Sequence, residues 1–174
     1  MKHTLLAAVL LLVSPYLTLG QSEPRSKPKD VNGWTKASWG MTREEIMEAF
    51  PGTHPSKAVL VSAPFKIGND RFNAEFNFAV NSKLLDVVII SPMDEILLPD
   101  DLFQRLELML TEKYGSPTTR ADPSLPDKEI ISTSWAFPST IISLNRISMH
   151  GPIPENTVTI SYLKNPSRKG ADNL

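Results

Sequence analysis

The sequence predicts a single α+β domain, with a mostly antiparallel sheet of about six strands and two helices packed on one face of it. Three observations predict this class. Apolar residues recur at helical spacing in two segments, residues 42–50 and 100–114. Apolar and polar residues alternate between Arg71 and Val80, as they do in a strand with one wet face. The segments follow the order helix, strands, helix, strands, and 174 residues suffice for one core.

The first predicted helix lies in the segment ASWGMTREEIMEAFPGT, whose carboxylates suggest either chemistry or a helix start. Thr42 and Glu45 have the spacing of a capping box, in which each side chain binds the backbone N–H of the other residue. Glu44 and Glu45 lie in the first turn, where the helix dipole favours negative charge. Pro51 and Gly52 then end the helix. The carboxylates are therefore interpreted as helix-start residues and not as a catalytic pair.

Six segments are predicted to be strands, because they alternate or are rich in β-branched and aromatic residues. In the clearest one, the apolar residues Phe72, Ala74, Phe76, Phe78 and Val80 face one way. The six segments are residues 57–62, 71–80, 83–90, 129–137, 140–148 and 157–163. The predicted core contains Trp39, Ile46, Phe50, Phe72, Phe76, Phe78, Leu106, Leu110, Trp135 and Ile160.

The N-terminus indicates export. Residues 1–20 have the parts of a signal peptide: a positive charge at Lys2, an apolar run from Leu5 to Val13, and small residues before a cleavage site after Gly20. Residues 21–33 are polar and contain prolines, which predicts a flexible tether. The globular domain is predicted to cover residues 34–164 and a disordered tail residues 165–174. The expected location is the periplasm or the surrounding medium.

Composition and charge exclude several classes of protein. The chain has no cysteine, so an exported fold cannot use disulfides and must be held together by packing. The 18 basic residues balance 19 acidic ones, whereas nucleic-acid binders usually carry a basic excess or patch. The N-terminal apolar run is short for a membrane span of about 20 residues, so no stable span is expected after signal cleavage.

The sequence contains no recognisable catalytic or cofactor motif. His54 and His150 are isolated, whereas a zinc site needs three or four ligands. Phosphate-binding glycine loops and the nucleophile elbow of hydrolases are absent. Ser161 and Lys164 have the Ser-x-x-Lys spacing, but on a strand they point to opposite faces. The sequence therefore predicts no catalytic residue, no cofactor and no metal.

Two short motifs resemble those of small exported bacterial domains. The segment from Trp39 to Thr42, Trp-Gly-Met-Thr, begins the first helix, and Tyr114-Gly115-Ser116-Pro117 ends the second. The helix start and the order of elements resemble the BamE outer-membrane assembly lipoproteins and the β-lactamase-inhibitor-protein-like modules. The Trp-Gly-Met start followed by a Tyr-Gly-x-Pro helix end also resembles many exported proteins of unknown function. The resemblance implies a non-catalytic domain that binds other proteins. The chain departs from the lipoproteins because it lacks their anchoring cysteine.

The leading hypothesis is an exported, non-catalytic domain that binds an unknown protein or envelope component. The candidate binding loop covers residues 148–156 and includes Met149, His150 and Ile153. Its apolar side chains are flanked by glycine and prolines, which lower the entropic cost of ordering the loop on binding.

Two alternatives stay open. One is a small hydrolase or lyase whose site forms only in the fold, from His54, His150 and a glutamate such as Glu75. A cleft that joins a histidine to a carboxylate favours this alternative. The other is a carrier of a small apolar ligand, which requires a large internal cavity between the sheet and the helices.

Overall fold

The computed structural model describes residues 29–81, 84–94, 99–126, 128–150 and 155–166. These residues contain two helices, α1 (Arg43–Ala49) and α2 (Pro99–Tyr114). Ten strands form one antiparallel sheet in the order β1-β2-β4-β5-β10-β9-β8-β6, with β3 paired to β4 and β7 paired to β8. The strands are β1 (His54–Ser56), β2 (Val59–Val61), β3 (Phe65–Ile67), β4 (Asp70–Phe78), β5 (Leu85–Pro92), β6 (Thr119–Ala121), β7 (Ser124–Leu125), β8 (Lys128–Ala136), β9 (Thr140–Met149) and β10 (Glu155–Lys164).

The predicted α+β class is wrong, because the domain is mostly β. The sheet has ten strands, and the two helices have only 7 and 16 residues. The six predicted strands correspond to β2, β4, β5, β8, β9 and β10. The strands that the prediction missed, β1, β3, β6 and β7, have two or three residues each. Such short segments cannot display a recognisable alternation.

The two halves of the chain share one topology. Helix α1 is followed by strands that lie side by side in the order β1-β2-β4-β5, and α2 by strands in the order β6-β8-β9-β10. The last strand of each half pairs with the other, because β5 and β10 are antiparallel neighbours. The β5–β10 pair therefore joins two related halves at the middle of the sheet.

The core lies between α2 and one face of the sheet, called here the inner face. Helix α2 packs mainly on β9 and β10. One register row of buried side chains crosses five strands through Phe76, Val88, Tyr162, Ile142 and Trp135. The buried side chains of α2 are Leu102, Phe103, Leu106, Leu110 and Tyr114.

Helix α1 begins with the predicted capping box. The backbone N–H of Glu45 donates to Thr42 Oγ1 over 3.3 Å, and the N–H of Thr42 donates to Glu45 Oε2 over 2.8 Å. Ile46, one turn after the N-cap residue Thr42, is fully buried in the core. The interpretation of this carboxylate as a helix cap is confirmed.

Most of the predicted core residues are buried. Trp39, Phe50 and Phe78 are only partly buried and pack against the core. Val80 is 91% exposed, because β4 ends at Phe78 after a register shift between Asn77 and Phe78. The fully packed members are Ile46, Phe72, Phe76, Leu106, Leu110, Trp135 and Ile160.

The segment before α1 is bonded to the start of β9. The Asp30 carboxylate accepts hydrogen bonds from the backbone N–H and the hydroxyl of Ser139 at 2.9 and 2.6 Å. Thr140 Oγ1 donates to the carbonyl of Val31 and accepts from Trp39 Nε1 at 2.7 Å. Residues 30–33, which the sequence analysis placed in the tether, therefore hold the following residues against the sheet.

Candidate functional site

An aromatic groove of about 470 Å³ opens where the N-terminal segment, the end of α1 and the start of β3 meet. Trp34, Phe50 and Phe65 line it, together with Pro51 and Pro64. The ring centroids of Trp34 and Phe50 are 5.6 Å apart with planes 8° from parallel, and those of Trp34 and Phe65 are 5.4 Å apart. Its volume lies within the range of roughly 300–1,000 Å³ that is typical of ligand pockets.

A tight turn positions Trp34. The backbone N–H of Trp34 donates to the carbonyl of Ala37 and the N–H of Ala37 donates back, both at 2.8 Å. Thr35 has φ 49°, a left-handed conformation that costs a β-branched residue on the order of 1–3 kcal/mol. Gly33 has φ 115°, and a Cβ there would lie 1.9 Å from the carbonyl oxygen of Ala37. The turn therefore requires glycine before the tryptophan and carries strain after it.

The other two rings are held by the ends of secondary-structure elements. Phe50 is the C-cap of α1, and its N–H donates to the carbonyl of Ile46 at 2.9 Å. Phe65 begins β3 and stacks on the buried ring of Phe72 at 6.3 Å. Phe76 supports the groove from the core, with centroids 6.0 Å from Trp34 and 5.0 Å from Phe50. The aromatic wall is therefore preformed, which lowers the cost of ordering it when a ligand binds.

The described residues that line the groove carry one charge, the exposed ammonium group of Lys36, and no carboxylate. The hydroxyl of Ser62 is already used, because it donates to the carbonyl of Ala63 and accepts from the N–H of Ala74, both at 2.9 Å. The groove therefore suits an apolar ligand with rings, with a negative charge next to Lys36.

A second polar feature lies on the inner face, at the start of α2. The side chain of Arg146 is only 7% exposed and forms ion pairs with Asp100 and Glu129. Its Nε has no hydrogen-bond partner among the described residues. Since Asp100 belongs to α2, Glu129 to β8 and Arg146 to β9, this cluster connects the helix to two strands and has a structural role.

The candidate binding loop is only partly described. Met149 is 46% exposed at the end of β9, and His150 is exposed next to it. Ile153 lies outside the described residues. Ser148 and Asn156 belong to paired strands, and the Ser148 hydroxyl donates to Asn156 Oδ1 at 2.8 Å. The connection between the strands is thus shorter than the predicted loop.

The two histidines of the hydrolase hypothesis lie far apart in the sheet. His54 is on β1, whereas His150 follows β9, which is separated from β1 by four strands. Val61 on β2 pairs with His54 on one side and with Glu75 on the other, so the three residues lie in one register row. Two strand spacings separate His54 from Glu75, which places their backbones roughly 10 Å apart. Within the described ranges, no three His, Asp or Glu residues are grouped closely enough to hold a metal ion.

Three titratable groups with shifted pKa values, Arg71, Asp94 and Tyr162, lie outside the groove. Burial raises the pKa of the Tyr162 hydroxyl, which lies 3.3 Å from the hydroxyl of Tyr114 in the core. The exposed Asp94 carboxyl, two residues after β5, accepts a hydrogen bond from Arg71, which lowers the pKa of the carboxyl and raises that of the guanidinium. These shifts arise from local packing or pairing.

The motifs and periodic patterns of the sequence did not predict the aromatic groove. The only local signal is that each ring adjoins glycine or proline, in Gly33-Trp34, Phe50-Pro51 and Pro64-Phe65. Glycine and proline are typical of turns, so these neighbours place each ring next to a turn.

Neither helix in the described part of the chain is long and apolar enough to cross a membrane. Comparison of the chain with protein-family models, curated proteins and solved structures found no match.

Proposed function

We propose that the chain is an exported, non-catalytic binding domain whose aromatic groove takes a proline-containing segment of a partner protein. The observation that carries this proposal is the preformed wall of Trp34, Phe50 and Phe65 around an open groove of about 470 Å³. The signal-peptide pattern of residues 1–20 supports export.

Proline suits this groove for two reasons. A proline-rich segment already has the extended polyproline conformation, so it loses little entropy on binding. Its pyrrolidine rings pack on aromatic faces, which is how several unrelated domains recognise such segments. The ammonium group of Lys36 adds a preference for acidic residues in the partner.

Peptide titration tests the proposal. Isothermal titration of the full mature chain would use three probes: a proline oligomer, the same oligomer carrying glutamates, and the same oligomer carrying lysines. We expect the glutamate form to bind most tightly and the lysine form most weakly. Lys36→Ala should remove the difference between the two charged forms without abolishing binding of the neutral oligomer.

Substitutions in the groove locate the binding site. Trp34→Ala should weaken binding of the neutral oligomer at least about tenfold, because a central aromatic residue often dominates an interface. Trp34→Leu, which keeps more apolar packing, guards against a folding defect, and circular dichroism checks both variants. Phe137→Ala is the matched control, since Phe137 is partly buried and packs edge-on against Tyr114, outside the groove.

Two results would contradict the proposal. One is the absence of binding for all three peptides at concentrations up to about 1 mM. The other is binding that survives Trp34→Leu and Phe65→Ala as well as it survives Phe137→Ala.

A further inference from the structure

The face of the sheet opposite α2 is a second candidate binding surface, separate from the aromatic groove. We call it the outer face and define it as the outward side chains of β5, β10, β9 and β8. It extends from the row of Val87, Leu163 and Ile141 to the row that pairs Ile147 with Ile130. All of these outward side chains are at least partly exposed, whereas the inward side chains of the intervening rows are mostly buried. No described helix covers this face.

The outer face carries no charge between those two rows, although 21% of the chain is charged. Its middle consists of short hydroxyl and amide side chains. Ser134 and Ser143 are hydrogen-bonded to each other at 2.9 Å, and Ser132 donates to Asn145 at 2.8 Å. Depletion of charge is the compositional mark of the centre of an interface. Short, mutually bonded side chains also leave the face flat enough for another sheet to pack on it.

We infer that two copies of this chain associate through their outer faces, as two stacked sheets. A surface that meets its own copy across a twofold axis must be complementary to itself. Serines satisfy that condition because they can donate and accept, and aliphatic side chains satisfy it because they pack on one another. A face with several like charges would repel its copy, and the outer face has none between its end rows.

The area is sufficient for such a pair. Four strands about 4.8 Å apart, with seven residues rising about 3.3 Å each, give a face of roughly 19 Å by 23 Å. Two such faces in contact bury on the order of 1,000 Å², which is about the lower limit for a specific interface. The expected dimer is therefore weak, with a dissociation constant of about 1–100 μM.

Sedimentation velocity across a concentration series tests this inference with the mature chain. The expected result is a monomer–dimer equilibrium in the micromolar range. Ser143→Lys places a charge at the centre of the outer face and should raise the dissociation constant at least about a hundredfold. Leu108→Lys is the matched control, because Leu108 is 70% exposed on α2 and the same charge is added away from the interface.

A mixture of Ser143→Lys and Ser143→Glu chains provides a second measurement. Opposite charges near the twofold axis should restore association that neither variant shows alone. Circular dichroism establishes that both variants are folded. A wild-type chain that stays monomeric up to about 100 μM, or a dimer that Leu108→Lys and Ser143→Lys weaken equally, would overturn the inference.

Discussion

Replacing Arg146 tests how its buried cluster contributes to stability. The guanidinium group lies on the inner face, whereas the side chains of its partners Glu129 and Asp100 are 37% and 65% exposed. Carboxylates that lose the arginine can therefore be hydrated. We expect the buried stem of the side chain to matter more than its charge, because a buried ion pair is expensive to desolvate.

The magnitudes follow from what each substitution removes. Arg146→Ala loses two methylene groups at about 0.8 kcal/mol each and leaves a cavity, for a total of about 3 kcal/mol. Arg146→Met keeps most of the stem and removes the unpartnered Nε, so its effect should be about 1 kcal/mol or less in either direction.

Urea denaturation with linear extrapolation measures both values. In a thermal scan the melting temperature Tm should fall by about 10 °C for the alanine variant and stay nearly unchanged for the methionine variant. Equal destabilisation by alanine and methionine would refute the reasoning. It would mean that the ion pairs, and not the packed stem, stabilise this junction of α2 with β8 and β9.

Three further substitutions test the start of α1 and the turn that positions Trp34. Thr42→Ala should lower the free energy of unfolding by about 1 kcal/mol, because it removes the N-cap hydroxyl. Glu45→Gln should lower it by less than about 0.5 kcal/mol, because glutamine also completes a capping box. Chemical denaturation measures both values, and a larger loss for Glu45→Gln than for Thr42→Ala would contradict the capping interpretation. Gly33→Ala should lower the free energy of unfolding by more than about 2 kcal/mol, because the new Cβ clashes with the carbonyl of Ala37 and φ is left-handed. Denaturation measures this loss, and a shift in tryptophan emission reports the displacement of Trp34. An unchanged emission spectrum would contradict the proposed role of Gly33 in the turn.

Local sequence signals identified the elements whose residues act on their neighbours. Thr42 and Glu45 cap the helix in which they lie, and the alternation around Phe72 and Phe76 matches their burial. The strand Phe65–Ile67 has only three residues, and it exists because it pairs with Asp70–Phe72 across a short connection. Its strand character comes from that pairing and not from a periodic pattern.

The aromatic groove and the ion-pair cluster of Arg146 were not predicted from the sequence, for different reasons. The groove combines rings from three separate segments, at Trp34, Phe50 and Phe65, and sequence order says nothing about their meeting. Arg146 shares the inward parity of Ile142 and Leu144 on β9. A charged residue in such a pattern is normally assigned to the wet face, because its burial is expensive unless it is paired. Only the positions of Asp100 and Glu129 make that burial acceptable.

The pairing of β5 with β10 has a consequence for how the chain reaches its native state. Ile90 pairs with Ile160, far along the chain, so this ladder forms only after almost the whole domain is available. Until then β5 offers an unpaired edge that includes Val87, Val88, Ile89 and Ile90, and such edges promote aggregation. Folding is therefore expected to be slow for the size of the domain, and the refolding yield should fall as protein concentration rises.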